Sequence, residues 1–396
     1  MFLLFSGCVG QGEPVDPQID PPDLPETAHE ACSNGPEMIV DLPDGFDDYE
    51  REGFVRYTEV VAPNGRAIPI FAQDEIGDAQ ILRARNLLRY FLSDVPGSLH
   101  GDDKSDVADA MADNAAVLVL VNGEHREGNE PRVPAQPLYD SETPVVGHDW
   151  FMDNDYEHRD AGPEEIFHLV HDTGIGTYLP GARPDYQVAL DAEARAAMAD
   201  GRWGIPVDPG VEDWLEELDR EGSLAQEYIV SVLDSTYGLW APWDEGEGGM
   251  WGIYIAKTRD EVIEKDPNGF TLLGDFLSLS WSLPEPVDPD FEGSLSLTFD
   301  EDEPYTHKTR YMEAVLLLGD GDASIVGNDL DNTFVSNAGS NRFEGGEGED
   351  TVVYCGDAED FQLSRDEGVT SVSDGNATDT LVDIEAIHFL DGVVEI

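Results

Sequence analysis

Two periods divide this chain. Up to Pro284 the apolar positions recur at the spacings of strands and helices, and over 318–353 they recur every nine residues. In the first region FVRYTEVVAP and AIPIFA alternate as two strands, with PNGR as the turn between them. A helix is expected over about 75–93, where Ile81, Ala84, Leu88 and Phe91 share one face while Arg83 and Arg85 lie off it. VADAMADN reads as a further helix and AVLVLVN as a buried strand. The proline-rich stretch 124–160 carries little period, so it is expected to be a surface or site-forming loop with one strand at 144–146. VEDWLEELDREG turns Val211, Trp214, Leu215 and Leu218 to one side of a structural helix, and SLAQEYIVSVLDSTYG does the same with Leu224, Ile229, Val232 and Leu233. A capping box of Thr258 and Glu261 opens the helical segment KTRDEVIEKDPNGFTLLGDFL. These elements make one mixed α+β domain over 48–284.

The second region reads, in register, LGDGDASIV, GNDLDNTFV, SNAGSNRFE, GGEGEDTVV. The eighth place of each row is apolar (Ile325, Phe334, Phe343, Val352). The sixth runs Ala323, Asn332, Asn341, Asp350, and the last row fits G-G-x-G-x-D-x-apolar-x at every fixed place. A nine-residue period with one apolar slot predicts a short parallel β-roll, since each row can bury its slot only against its neighbours. A connecting β segment over 285–317 should lead into the roll and its closing segment at 318–396. In that closing segment Val382, Ile384, Ile387 and Phe389 suit capping strands.

The repeat block resembles the hemolysin-type (RTX) calcium-binding repeats. The resemblance implies calcium between turns two rows apart, with Asp350 facing Asn332 and Asn341 facing Ala323. Calcium prefers six to eight oxygens including several carboxylates, and only one sixth-place residue here is a carboxylate. The implied sites at Asn332, Asn341 and Asp350 are therefore few and weak, and an asparagine ladder can hold such a roll together without an ion.

HRDAGPEEIFHLVHDTGIG concentrates polar chemistry on a short helix. Asp160 or Gly162 caps it, Pro163 suits its first turn, and Thr173-Gly174 ends it. Glu164, His168 and His171 fall at i, i+4 and i+7 on one stripe, flanked by Glu165 and Asp172, with apolar residues over the remainder. Buried carboxylates and imidazoles are costly unless paired or bound to metal. Four of the nine histidines (148, 158, 168, 171) lie within this neighbourhood.

Here the chain resembles the zincin metallopeptidases, especially the branch with glutamate as third ligand. Their helix carries H-E-x-x-H, two metal ligands one turn apart with a general base between them. The chain has Glu164-Glu165-Ile166-Phe167-His168. The resemblance makes Glu165 the catalytic base and His168 a ligand, with Glu164 in place of the first histidine. Glu227 on the later helix would be the third ligand, and His171 is a reserve. Zinc or another divalent metal is implied, acting on a peptide or protein substrate. Two other readings of the same residues stay open: a solvated face with i,i+4 pairing, and a decayed zincin fold that keeps a pocket without catalysis.

The tract YGLWAPWDEGEGGMWGIYIAK gathers Tyr237, Trp240, Trp243, Trp251 and Tyr254. It is read as core-filling aromatics, or else as a platform for a sugar or an apolar peptide side chain. No phosphate loop, G-x-S-x-G elbow, C-x-x-C pair or basic patch occurs, which argues against kinase, hydrolase-elbow, redox and nucleic-acid classes.

Charge fixes the setting. Asp and Glu number 85 against 21 Lys and Arg, a net charge of −64. Such a surface repels nucleic acid and anionic lipid and is eased by salt, as in marine or halophilic conditions. MFLLFSGC resembles the end of a bacterial lipoprotein signal, which implies a lipid anchor at Cys8, a secreted or cell-surface location, and contact with membrane only through that anchor. Residues 1–8 are then the signal remnant, and 9–47 an acidic, proline-rich tether. Cys32 and Cys355 either pair or remain free thiols. The whole reads as an exported metal-dependent peptidase with a degenerate E-E-x-x-H motif, or as a non-enzymatic calcium-dependent surface or adhesion protein. Oligomeric state is not legible.

Overall fold

The strand pattern of the first region produces a five-stranded mixed sheet. Its order is β1 (Val40–Asp41), β2 (Phe54–Val61), β3 (Ala67–Gln73), β4 (Leu118–Val121) and β5 (Gln136–Tyr139). A computed structural model describes residues 31–126, 128–177 and 179–396; Cys8 and most of the expected tether lie outside them. β2 and β3 form the expected hairpin, and β3, β4 and β5 run parallel. The strand expected at 144–146 is instead a single bridge between Val146 and Val287. The loop's real strand is β5, whose Pro137 sits at the sheet edge where a missing N–H does least harm.

Helices cover one face of this sheet. Asp78–Leu92 and Ser105–Asp113 form where expected. Gly162–Val170 packs against Asp78–Leu92, Leu224–Thr236 and β5. It does not stop at Thr173-Gly174 as expected, but loosens into a π-helical turn over His171–Gly176. A long helix, Pro184–Asp200, packs on Leu224–Thr236. Thr258 caps Arg259–Lys265 by accepting the backbone N–H of Glu261.

The nine-residue rows wind through two parallel sheets, odd rows in one and even rows in the other. The winding begins earlier than the repeat. β6 (Glu285–Pro286), β7 (Gly293–Ser296) and β8 (Ala314–Leu316) are already rungs, followed by β9 (Ala323–Val326), β10 (Thr333–Val335), β11 (Arg342–Glu344) and β12 (Thr351–Val353). The expected connecting segment at 285–317 is thus the start of the coil, because its apolar residues complete the same columns. Leu295, Ile325, Phe343 and Leu381 pair down one sheet; Val315, Phe334, Val352 and Ile387 pair down the other. All eight are buried. Successive turns stack so closely that a Cβ at Gly327 would lie 2.0 Å from the carbonyl oxygen of Gly345, which leaves room only for glycine. A hairpin of β13 (Gln362–Asp366) and β14 (Val369–Ser373) interrupts the winding. Then β15 (Thr378–Val382) and β16 (Ala386–Phe389) add the last parallel rungs; the β13–β14 hairpin continues one sheet antiparallel beyond β15, and β17 (Gly392–Glu395) the other beyond β16.

Beside the Val146–Val287 bridge, a covalent and an ionic tie join the coil to the first domain. Cys32 and Cys355 form a disulfide across 323 residues of sequence. From residue 31 onward the segment expected to be tether is therefore held: Ala31 is buried, Asn34 accepts from Arg85, and β1 pairs with β2. The second tie is ionic. Arg83 makes two hydrogen bonds of 2.8 and 2.9 Å to Asp160 and lies 3.3 Å from Glu285 on the first rung, with all three side chains buried.

Removing one member of such a set leaves the others charged without compensation. Arg83→Met should cost about 3–5 kcal/mol in urea unfolding, and Asp160→Asn in the same chain should recover part of it. Cys32→Ser should cost about 2–4 kcal/mol; in excess reductant the parent and the variant should melt together.

Candidate functional site

Glu164 and His168 stand one turn apart on Gly162–Val170, and Glu227 faces them from the first turn of Leu224–Thr236. One ligand atom from each lies within 4.8 Å of the other two, and among the described residues this is the one such His, Cys and acid cluster. His168 Nε2 lies 3.6 Å from Glu227 Oε1 and is buried with no hydrogen-bond partner. Its Nδ1 lies 3.6 Å from Glu165. An imidazole with one nitrogen toward a carboxylate and the other free toward further carboxylates has the arrangement of a metal ligand backed by an orienting group. The orphaned nitrogen and the converging oxygens fit a divalent cation.

Without an ion, protons fill that role. Burial alone pushes the His168 imidazole down, but the bond to Glu165 and the charges of Glu227, Glu165 and Glu164 outweigh it and carry its pKa up to about 10. Burial pushes Glu227 up to about 7, against the pull of His168. The stable ion-free state is an imidazolium among carboxylates.

Glu165 does not face the side of the ring where the ligand atoms meet. It accepts a 2.6 Å hydrogen bond from Gln136 on β5 and lies against Nδ1. His171, expected as a reserve ligand, is not in the cluster. It is fully buried and bonded through Nε2 to Gln187 of Pro184–Asp200, and burial pushes its pKa down to about 4. His171 keeps α-helical backbone, and its ring goes to Gln187 rather than to the cluster. His148 and His158 also stay away: the first accepts from Trp150 N, and the second stacks on Trp150 at 3.9 Å and pairs with Asp155.

Three neighbours were not singled out by sequence. Arg159 is nearly buried and binds Glu164 Oε2 and, at 3.3 Å, Asp234 Oδ2. It leaves Glu164 one oxygen for a cation. Asp234 lies two turns beyond Glu227 on the same helix face, a spacing that could have announced it. Burial and the charge of Glu164 raise its pKa well above the usual carboxylate range. Gln136 had no signal, because the loop around it shows no period. The cleft beside Glu164 and Glu227 has a volume of 390 Å³ and reaches Trp214 and Trp251. Of the aromatic tract, Tyr237, Trp240, Trp243 and Tyr254 are buried as core, while Trp251 is 46% exposed.

In the coil two of the sixth-place side chains, Asn341 and Asp350, accept a backbone N–H two rows back. Asn341 Oδ1 takes the N–H of Ala323 at 3.0 Å, and Asp350 Oδ1 takes that of Asn332 at 2.7 Å. Asn332 Oδ1 is bound to the N–H of Asn328. The asparagines act as ladder rungs. Asp350 Oδ2 remains buried and unpartnered, and burial pushes the Asp350 carboxyl up to about 7. No protein-family model, no curated protein and no solved structure matches this chain.

Proposed function

We propose that the central domain is a divergent zincin-like, metal-dependent peptidase, carried outside the cell beside an RTX-type coil. The observation that carries this reading is the convergence of Glu164, His168 and Glu227, from helices far apart in sequence, at the edge of an open cleft. A divalent cation bound there supplies Lewis acidity, polarising a carbonyl and lowering the pKa of water. One imidazole with two carboxylates suits zinc and other divalent ions. His168 offers Nε2 while its Nδ1–H is steadied by Glu165. Glu164 and Glu227 offer one oxygen each, and Arg159 fixes the rotamer of Glu164. Glu165 is the proton acceptor of this reading; its side chain is 25% exposed and is held by Gln136 and by the His168 imidazole. The lipid anchor at Cys8 and the surface location belong to the same proposal and rest on the sequence.

A second reading is favoured by Glu165 itself. Turned toward Nδ1, it is placed to orient the imidazole and not to deprotonate water. The protein would then be a non-enzymatic surface or adhesion protein with a decayed zincin fold. Its cation would be calcium in the coil, where Asp350 Oδ2 is the oxygen without a partner.

Elemental analysis after dialysis against a weak chelator separates the two. The peptidase holds about one transition-metal ion per chain and loses it in His168→Ala and Glu227→Ala. The surface protein holds calcium alone or nothing. Glu165→Gln should keep its metal and lose about 100-fold or more in peptide hydrolysis; unchanged metal with no hydrolysis in the parent chain supports the decayed fold.

Metal uptake must also expel protons. His168 holds its proton up to about pH 10 and Glu227 up to about 7. Affinity should therefore rise with pH between about 6 and 9, with the release of one proton per ion in the upper part of that window and more in the lower. Calorimetry in two buffers of different ionisation enthalpy counts those protons. An affinity that ignores pH would exclude ligation by His168.

A further inference from the structure

We infer that the turn over 244–253 adds a subsite to this cleft: a pocket for one large apolar side chain, aromatic or branched aliphatic, of a peptide lying beside Glu227. The inference rests on the cleft being the working site. It begins from an anomaly, because Trp251 stays 46% exposed while the other aromatics of its tract are buried.

The exposure is built in. Met250 and Trp251 both adopt left-handed backbone, with φ of 51° and 52°. Side-chain-bearing residues seldom do so, and two in succession persist only where the surroundings enforce it, which is a mark of functional sites. The enforcement is visible. A Cβ at Gly248 would lie 2.1 Å from the carbonyl oxygen of Tyr254, and one at Gly249 2.5 Å from that of Ala256. The turn is thus packed directly on the chain that follows it. Lys257 Nζ closes it from below, donating to the carbonyls of Trp243 and Gly246 at 2.5 and 2.6 Å. A Gly-rich loop that could have folded its tryptophan inward instead presents it.

The ring has one side occupied. Trp240 meets it edge-on at 4.9 Å, and the Arg159 guanidinium sits 4.8 Å from its centroid. Val211, Trp214, Met250 and Ile253 complete the walls, with Glu227 at the inner end. Trp214 is itself braced edge-on by buried Trp203 at 5.9 Å. A volume of 390 Å³ accepts one large side chain with part of its backbone.

The chemistry of the walls selects the occupant. Arg159 is committed to Glu164 and Asp234, and Asp208 Oδ1 accepts the N–H of Gly210 at 2.6 Å. Among the described residues no Ser, Thr, Asn or Gln lines the pocket, and its charged groups gather at Glu164, Glu227, Arg159 and Asp208 while Val211, Trp214, Met250, Trp251 and Ile253 make an apolar wall. An apolar side chain needs no polar anchor and gains by leaving water.

The test uses the full chain and four probes: the N-acetyl amides of phenylalanine, leucine and alanine, and methyl glucoside. Binding is followed by saturation-transfer NMR, once in chelator and once with metal. The phenylalanine and leucine probes should bind about tenfold more tightly than the alanine probe. Trp251→Gly should abolish that preference while the chain still unfolds cooperatively, because glycine accepts the left-handed backbone freely even though the contacts with Trp240 and Arg159 are lost. Equal binding of the alanine probe, a preference that survives Trp251→Gly, or competition by methyl glucoside would overturn the inference. A preference that holds in a chain binding no transition metal would leave the pocket standing and remove the metal proposal; metal without preference would do the reverse.

Discussion

Arg83 holds the two halves of the molecule in register with the site. Its guanidinium reaches Asp160, two residues before Gly162–Val170 begins, and Glu285, on the first rung of the coil. Burial works against all this charge. It lifts the Glu285 carboxyl, while Asp160 and Glu285 together keep the Arg83 guanidinium charged. An apolar contact could slide; a two-pronged guanidinium–carboxylate pair fixes distance and angle together. Asp160 is followed closely by Glu164, so the placement of one end of the candidate ligand set depends on a residue more than 70 positions earlier in the chain. Lys308 adds a second cation nearby, donating to the carbonyl of Phe151 at 3.3 Å.

The use of cations inside an acidic molecule follows a pattern. The chain has four lysines, and two of them, Lys104 and Lys308, are buried. Arg83 and Arg159 are sequestered as well. These four basic residues sit at junctions, where low dielectric makes each one count, although other arginines such as Arg51, Arg66 and Arg220 remain exposed on the acidic surface. Self-repulsion across that surface is screened by salt, whereas the interior pairs are not. The coil is built on a different economy. Its columns of Leu, Ile, Phe and Val need no charge, and its turns are joined by Asn and Asp side chains accepting backbone N–H groups.

How much of this was legible follows from the range of each interaction. The coil was readable because its contacts repeat at fixed spacing, although its first rungs at 285–317 were not: their apolar residues fill the same columns without the glycine punctuation of the repeat. Glu164, His168 and Glu227 were readable because helical spacing brings ligands to one face and the second helix carried its glutamate in the first turn. Arg159 was not, since an arginine in an aperiodic loop gives no sign of which carboxylate it will meet. Pro184–Asp200 has alanines and charges mixed around its circumference, so its pattern carries almost no amphipathic contrast and its helix goes unannounced. His171 was misplaced because spacing gives the face of a helix but not the neighbour that claims the side chain, and Gln187 of the unannounced helix Pro184–Asp200 takes its ring.

The substitution that most separates this helix from a histidine–histidine site is Glu164, and its consequence can be followed through charge. Replacing a neutral imidazole by a carboxylate adds one negative charge to a cluster that already holds Glu165, Glu227 and Asp234. Left alone, such a cluster would protonate and lose its hold on a cation. Arg159 supplies the counter-charge, bound to Glu164 on one side and Asp234 on the other. It is nearly buried and kept firmly protonated because those carboxylates outweigh its desolvation. The pair Arg159–Glu164 can thus be regarded as one neutral ligand assembled from two residues, standing where a histidine would. That equivalence has a limit. In the proposed metal site Glu164, shared with a guanidinium, would be a weaker donor than a free carboxylate, and ion binding would lean more heavily on His168 and Glu227. Glu165 turns to Nδ1 in the same setting: Arg159 is bonded to Glu164 and Asp234, and the imidazole is the positive group that lies against Glu165 at 3.6 Å.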